Sequence, residues 1–438
     1  MAEASAQSVF YDRPMPPVPS SPSRLLAATL IDWIGTGFYL ALSAIFLTRS
    51  AGLKPSEVGL VLAVAGMVAF FGTVHVGRLG DRIGPRRVLL VLYVLRAAAF
   101  VGLTIVHDLG VTLVMLSVIA LGDQAASSMY QALANVMVGK DQRVGFMARM
   151  RVVTNIGITL GTVPAGRALA THSNSFAPLL LGNAASYLLA GLIVATLPAD
   201  TSLAAPETRR RLLIPSPATA AMISINGLMS LWVVILNVGL PLWIVDATAA
   251  PRALVAVLYG TSTVVAIFAQ ARVARWVNSY LRAAQAQRLA GVLLALCCGC
   301  LAGSALVGSA ASTILLVAAV LCLSGGELLT VSSAWEVSFR LAPPGRSAEF
   351  FATYGLGRAG SQVAGPILIT VAVLALGVPG WLALAGLFII GGFITPLMAQ
   401  RALDHPLVLR KPPAGPPARR AHSSHRRSPR VTIMLGSD

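Results

Sequence analysis

The chain has 438 residues, of which 56% are hydrophobic and only 11% charged, with a mean hydropathy of +0.77. A soluble domain carries roughly a quarter charged residues, so this composition excludes a single water-facing globule. The net charge of +17, from 33 Lys and Arg against 16 Asp and Glu, would suggest nucleic acid on a soluble surface and asymmetric loops on a membrane protein.

The chain opens with a polar, Pro-rich stretch, residues 1–24, read as a disordered cytoplasmic tail. It lacks the basic segment, short apolar core and small-residue site of a cleavable signal peptide. Twelve apolar runs follow, each near the roughly 20 residues that a spanning helix needs. They cover 25–47, 56–76, 87–106, 111–136, 152–171, 176–197, 217–245, 252–271, 287–307, 311–338, 351–377 and 380–400. Gly and Pro punctuate the gaps, as at Gly84-Pro85, Pro198, Pro251 and Pro379-Gly380. Barrel strands would show shorter segments of alternating hydrophobicity, so the runs predict an all-α membrane protein.

Charge then orients the helices. With the N-terminus in the cytoplasm, 27 of the 33 Lys and Arg fall in cytoplasmic segments. Arg49, Lys54, Arg167 and Arg252 fall on the outer side, and Arg96 and Arg358 lie inside helices. The positive-inside rule therefore predicts cytoplasmic N- and C-termini in a cell membrane. A central cytoplasmic loop, 199–216, carries Arg209-Arg210-Arg211 and separates two pseudo-symmetric six-helix bundles, 25–198 and 217–400. A weak repeat links them: Gly122-Asp123 matches Gly326-Glu327, and Gly161 matches Gly365. Paired repeats suit an alternating-access carrier with its substrate site between the halves.

The C-terminal segment, 401–438, is rich in Pro, Arg, Ser and His and reads as a disordered cytoplasmic tail. Its charge suits anionic lipid; no nucleic-acid partner is expected, because no folded binding module accompanies it. Cys297, Cys298, Cys300 and Cys322 lie in apolar runs without metal-like spacing. They read as small hydrophobes, and neither metal nor cofactor is expected. Gly355 to Gly360 spells G-x-G-x-x-G, but no strand precedes it, so a dinucleotide site is not expected. The sequence has no G-x-x-x-x-G-K-[ST] phosphate loop. The energy source is then an ion gradient or the substrate's own gradient.

The loop between the second and third runs reads Gly77-Arg78-Leu79-Gly80-Asp81-Arg82-Ile83-Gly84-Pro85-Arg86-Arg87. It resembles the signature of the major facilitator superfamily over eleven consecutive residues. The Gly residues permit a tight turn and close helix approach. Asp81 is an anion on the face where the eleventh helix begins, and a helix N-terminus favours an anion by about 0.3–1 kcal/mol. The resemblance implies that Asp81 latches the two halves when the carrier opens outward, with Arg82 and Arg86 as charge partners. The matching stretch in the second half, 270–279, lacks the Gly and Asp, which makes the latch one-sided. The fifth helix, with Asn155, Gly157, Gly161, Pro164 and Gly166, partly resembles the glycine-rich motif of the family's drug/proton antiporters. Close packing through small residues accounts for Gly157 and Gly161 equally well.

Ionisable groups inside a bilayer cost at least about 2.5–3.5 kcal/mol at its centre, which makes them functional candidates. Here they are Asp32, Arg96, Asp123, Glu327 and Arg358. The resemblance puts the first, fourth, seventh and tenth helices around a central cavity, hence three carboxylates on three cavity helices. Burial favours the neutral form of a carboxylate, so such a group can load and release a proton as the cavity opens to either side. The competing expectation is a structural ion pair, Asp32 with Arg358 or with Arg96. Asn226, Asn237, Gln124, Tyr130, Trp33 and Trp335 are candidate cavity groups, and Glu336 with Arg340 reads as a pair at the inner end of the tenth helix. Many of the family's antiporters carry an Arg on the fourth helix, where this chain has Asp123-Gln124.

The expectation is a monomeric secondary transporter, not an enzyme, with a proton as coupling ion and the bilayer and a small-molecule substrate as partners. Export of a drug or metabolite is the leading reading. Uptake of a nutrient by symport or facilitation is the alternative, and a non-transporting receptor or regulator is a further one.

Overall fold

The computed structural model describes residues 21–49, 55–105, 108–170, 177–198 and 215–404. The central loop up to residue 214, the tail before residue 21 and the tail after residue 404 lie outside the described residues. Twelve helices run through them: α1 Ser21–Arg49, α2 Pro55–Ile83, α3 Pro85–Leu103, α4 Leu109–Met137, α5 Arg143–Ala170 and α6 Ala177–Ala195. The others are α7 Pro217–Ala247, α8 Leu254–Trp276, α9 Tyr280–Ser304, α10 Ser309–Leu341, α11 Ser347–Leu374 and α12 Val378–Asp404. Within α7, Ile235–Gly239 loosens into a π-helical stretch, and α11 ends in another, Leu368–Leu374.

Among the described residues nine helices are long and apolar enough to cross a membrane. The other three are α1, α3 and α5. These carry the inward-turned charges Asp32, Arg96 and Arg151 respectively. Twelve spans is the expectation from the sequence; within the described residues nine of the helices meet the length and apolarity of a span.

The packing repeats. In the first set α1 packs on α5 and α6, α2 on α4, and α3 on α4 and α6. In the second, α7 packs on α11 and α12, α8 on α10, and α9 on α10 and α12. Adding six to each helix number maps one set onto the other. The sets meet where α2 packs on α11 and α5 on α8, a pair of contacts related by the same shift. Small residues set these distances. A Cβ on Gly157 would lie 2.9 Å from Trp33 Cβ and 3.0 Å from the Leu30 carbonyl, so α5 lies directly on the α1 backbone. Gly161 faces α1 in the same way, whereas the Pro164 side chain lies outside the described residues.

The signature loop joins the sets at one end. Gly84 ends α2 at φ 97°, and Pro85 opens α3; a left-handed φ is cheap only for Gly. One turn earlier, Asp81 accepts the Ala348 N–H at 2.9 Å and the Glu349 N–H at 2.8 Å, both in the first turn of α11. The residue before α11 is Arg346, which makes no side-chain cap. The orphan N–H groups that every helix start exposes are therefore capped in trans, from α2. Gly77 and Gly80 allow the approach: a Cβ on Gly77 would meet Ala352 Cβ at 2.6 Å and the Ala348 carbonyl at 2.8 Å. Arg86 donates to the Val194 carbonyl at 3.2 Å and to the Ala195 carbonyl, at the C-terminus of α6, where the helix dipole favours a cation. Arg82 is exposed. Arg346 is a cation whose field acts on Asp81, and it is itself paired with Glu349 at 2.6 Å.

Losing a helix cap costs about 1 kcal/mol, roughly a fivefold shift in a two-state ratio. Asp81→Ala should therefore lower the closed-to-open ratio at this end about fivefold, and Asp81→Asn less, because Asn still caps. Spin-label distances across the α2–α11 contact read this; equal effects of the two variants would contradict a capping role.

Candidate functional site

A cavity of about 470 Å³ lies between the two sets of helices. Such volumes are ordinary for small-ligand sites. Of the residues expected from the sequence, Asp32, Trp33, Arg96, Asp123, Gln124, Tyr130, Asn226, Trp335 and Arg358 all line it. Glu327 sits behind the wall, paired with the lining residue Arg151. Asn237 does not reach the cavity lining: it accepts the Tyr259 hydroxyl of α8. It lies in the π-helical stretch of α7, where an extra residue per turn rotates the face that the sequence pattern assigns.

The first-set wall holds one cation between two acids. Arg96 is 2% exposed; its Nη2 lies 3.4 Å from Asp32 Oδ1 and also contacts Asp123 Oδ1. Gly122 on α4 makes room for it, since a Cβ there would fall 2.6 Å from Arg96 Cδ. The pairing of Asp32 is therefore with Arg96 and not with Arg358. A tyrosine chain completes the cluster. Tyr130 donates to Asp32 Oδ2 at 2.7 Å, and the Tyr93 hydroxyl lies 2.5 Å from that of Tyr130. Arg96 donates to the Tyr187 hydroxyl at 2.7 Å and lies over its ring, 3.9 Å from the centroid. Asp32 is buried, whereas Asp123 keeps 44% of its side chain open to the cavity.

The opposite wall is built the other way round. Arg151 on α5 pairs with Glu327 on α10, so an ion pair crosses from one set of helices to the other. The Trp232 indole of α7 lies near two guanidinium groups, with Arg151 Cζ 5.5 Å and Arg358 Cζ 5.8 Å from its ring centroid. Two cations and one acid meet here. Further along α10, Arg340 Nε donates to Glu336 Oε1 at 2.5 Å, one turn apart.

Arg151 and Trp232 are the residues that sequence reasoning missed. The fifth apolar run begins at 152, which makes Arg151 a loop charge. In the structure α5 begins at Arg143, so Arg151 is two turns inside, about 12 Å along the axis. The apolar Phe146, Met147 and Met150 just before it are the signal that was available.

Breaking a buried ion pair by removing one partner typically costs about 3–5 kcal/mol, because the other charge is left uncompensated. Arg96→Leu should therefore unfold at a much lower temperature in detergent, whereas the double variant Asp32→Asn/Arg96→Leu recovers part of the loss. No recovery would mean that Asp32 is not held by Arg96.

Comparison with known proteins fits this geometry. The sequence model of the Major Facilitator Superfamily matches residues 25–366. An uncharacterized MFS-type transporter, YttB, of Bacillus subtilis (strain 168) is 26% identical over 170 residues, which is 39% of this chain and 42% of the relative. The match thus spans less than half of that curated relative. Among solved structures, a bacterial homologue of the iron transporter ferroportin, in an outward-facing state with soaked iron, superposes with a TM-score of 0.68. It is 16% identical, with 87% of this chain and 98% of that one covered. The human organic anion transporter MFSD10 (TETRAN) gives a TM-score of 0.63 at 16% identity, covering 87% of this chain and all of that one. At these identities the likeness is one of fold. The family match covers most of the chain, and the chain belongs to the Major Facilitator Superfamily as a multi-pass membrane protein.

Proposed function

We propose that this transporter works by alternating access and exports a small organic molecule in exchange for protons across the cell membrane. The observation that carries the reading is the first-set wall: two carboxylates, Asp32 and Asp123, share the single cation Arg96 beside a cavity. One negative charge is left over at the cavity wall, where the neighbouring Asp32 repels it. Binding a proton removes that repulsion, and a substrate or an opening motion that changes the surroundings of Asp123 changes the affinity for it. Tyr93 and Tyr130 supply hydroxyls in line with Asp32.

In this reading both termini are cytoplasmic, twelve helices span the bilayer, and residues 25–198 and 217–400 are the two moving bundles of a monomer. The trans cap of Asp81 on α11 then holds the cytoplasmic end shut, which makes the described state outward-facing. Export, as opposed to uptake by symport, rests on the partial likeness of the fifth helix to the antiporter motif. The solved neighbours do not choose a substrate, because one is a homologue of an iron transporter and another is an organic anion transporter.

Accumulation of labelled candidate compounds in cells, with and without an uncoupler, tests the direction and the coupling together. Export predicts less compound inside expressing cells and a rise on uncoupling; uptake predicts the reverse, and a receptor predicts no difference. Single changes Asp32→Asn, Asp123→Asn and Glu327→Gln follow. Gradient-driven transport at the wild-type level in all three would rule out carboxylate coupling.

A further inference from the structure

The wall opposite the Asp32 cluster has hydrogen-bond donors with nothing to donate to. Among the described residues, the buried Arg151 Nε has no hydrogen-bond partner, and neither has the indole N–H of Trp232. Trp232 is 4% exposed and still lines the cavity. Arg358 also lines it and keeps its side chain open to it. Among the described residues its guanidinium makes a ring contact with Trp232 and no hydrogen bond or ion pair. An unsatisfied buried polar group costs about 1–3 kcal/mol, and orphaned groups in native structures call for an explanation.

The charge count gives one. Arg151 and Arg358 bring two positive charges to one indole, and Glu327 supplies one negative charge, engaged with Arg151. The wall is one anion short. Like charges so placed repel, which is the case for Arg151 and Arg358 as they stand. An added oxyanion relieves that repulsion and gives the orphan N–H groups an acceptor. Guanidinium forks match the two oxygens of a carboxylate. The other wall carries the opposite imbalance, with Asp123 open to the cavity. An anion is therefore steered to one side.

We infer that Arg151, Arg358 and Trp232 form an anion subsite, and that the transported molecule is a small organic acid. Its carboxylate lies between the two guanidinium groups within reach of the indole N–H. Its apolar body lies against Trp335, Phe351 and Tyr354, which line the same cavity. This deepens the export reading by naming the class of cargo, and it rests on the cavity being the transport site. The pair between Arg151 and Glu327 crosses the two sets of helices, so a carboxylate that engages Arg151 competes with Glu327 for it. Substrate binding thereby acts on a contact that ties the halves together.

The test is thermal unfolding of the purified full-length protein in detergent with three probes of one shape: benzoate, benzamide and benzylamine. A ligand that binds the folded state raises the midpoint with concentration. Benzoate should raise it, and benzamide and benzylamine should need at least about tenfold more for the same shift. Arg358→Gln should raise the benzoate requirement about tenfold, Trp232→Phe less, and Arg358→Lys should fall between wild type and Arg358→Gln. Elution as a single sharp species from a sizing column certifies that each variant is folded. No benzoate response in the wild type, an equal response to benzamide or benzylamine, or a folded Arg358→Gln variant with the wild-type response would each overturn the assignment. The readout is binding, without any proton gradient. Benzoate selectivity with no effect of an uncoupler in cells would sink the coupling and keep the subsite; gradient-driven transport of an amine would do the opposite.

Discussion

A charge carried into an apolar interior must be matched there, because the idealised transfer cost is tens of kcal/mol and the group has no water to turn to. In this transporter that constraint decides which way α1, α3 and α5 face. Each carries one charge that cannot point at lipid: Asp32, Arg96 and Arg151 respectively. All three turn toward the space between the two sets of helices, where they find partners. The cavity is the place where those charges are brought together, and its walls inherit their imbalance. One wall has two acids for one base, the other two bases for one acid. Neither wall is neutral, and a wall that lacks a charge is a wall ready to bind one.

The same economy governs the closed end. A helix begins with N–H groups that need acceptors, and the residue that precedes α11 offers none. The acceptor comes from the other set of helices, as Asp81. A cap supplied by the other set of helices holds only while the two sets keep this arrangement. Its worth, about 1 kcal/mol plus the dipole term, is small enough to break during a transport cycle. Gly77 and Gly80 contribute only by being small, which brings the α2 and α11 backbones close enough for the carboxylate to reach.

Much of this can be read from the chain. Twelve apolar runs lie within the twelve helices to within several residues, because length and hydropathy are local properties. The Asp81 contact with the start of α11 follows from a motif that resembles a known one. Pairing is different. Asp32 had two possible arginines, Arg96 and Arg358, and only the fold separates them, through the space that Gly122 leaves on α4. Arg151 was hidden by its own chemistry, since an arginine at the edge of an apolar run looks like a topology signal. Asn237 misled because a π-helical stretch turns it toward Tyr259. Trp232 gave no signal at all: its value lies in two guanidinium groups that arrive from α5 and α11.

The central claim is that the acid in excess at the Arg96 cluster takes up and releases a proton. Infrared difference spectroscopy of the purified protein between acid and alkaline buffer reads this directly, through the C=O stretch of a protonated carboxyl shielded from water. The account predicts a band that appears and disappears reversibly in the wild type and is lost in Asp32→Asn/Asp123→Asn. It predicts that the same band persists in Glu336→Gln. A band unchanged in the double variant would place the titrating acid elsewhere and contradict the account.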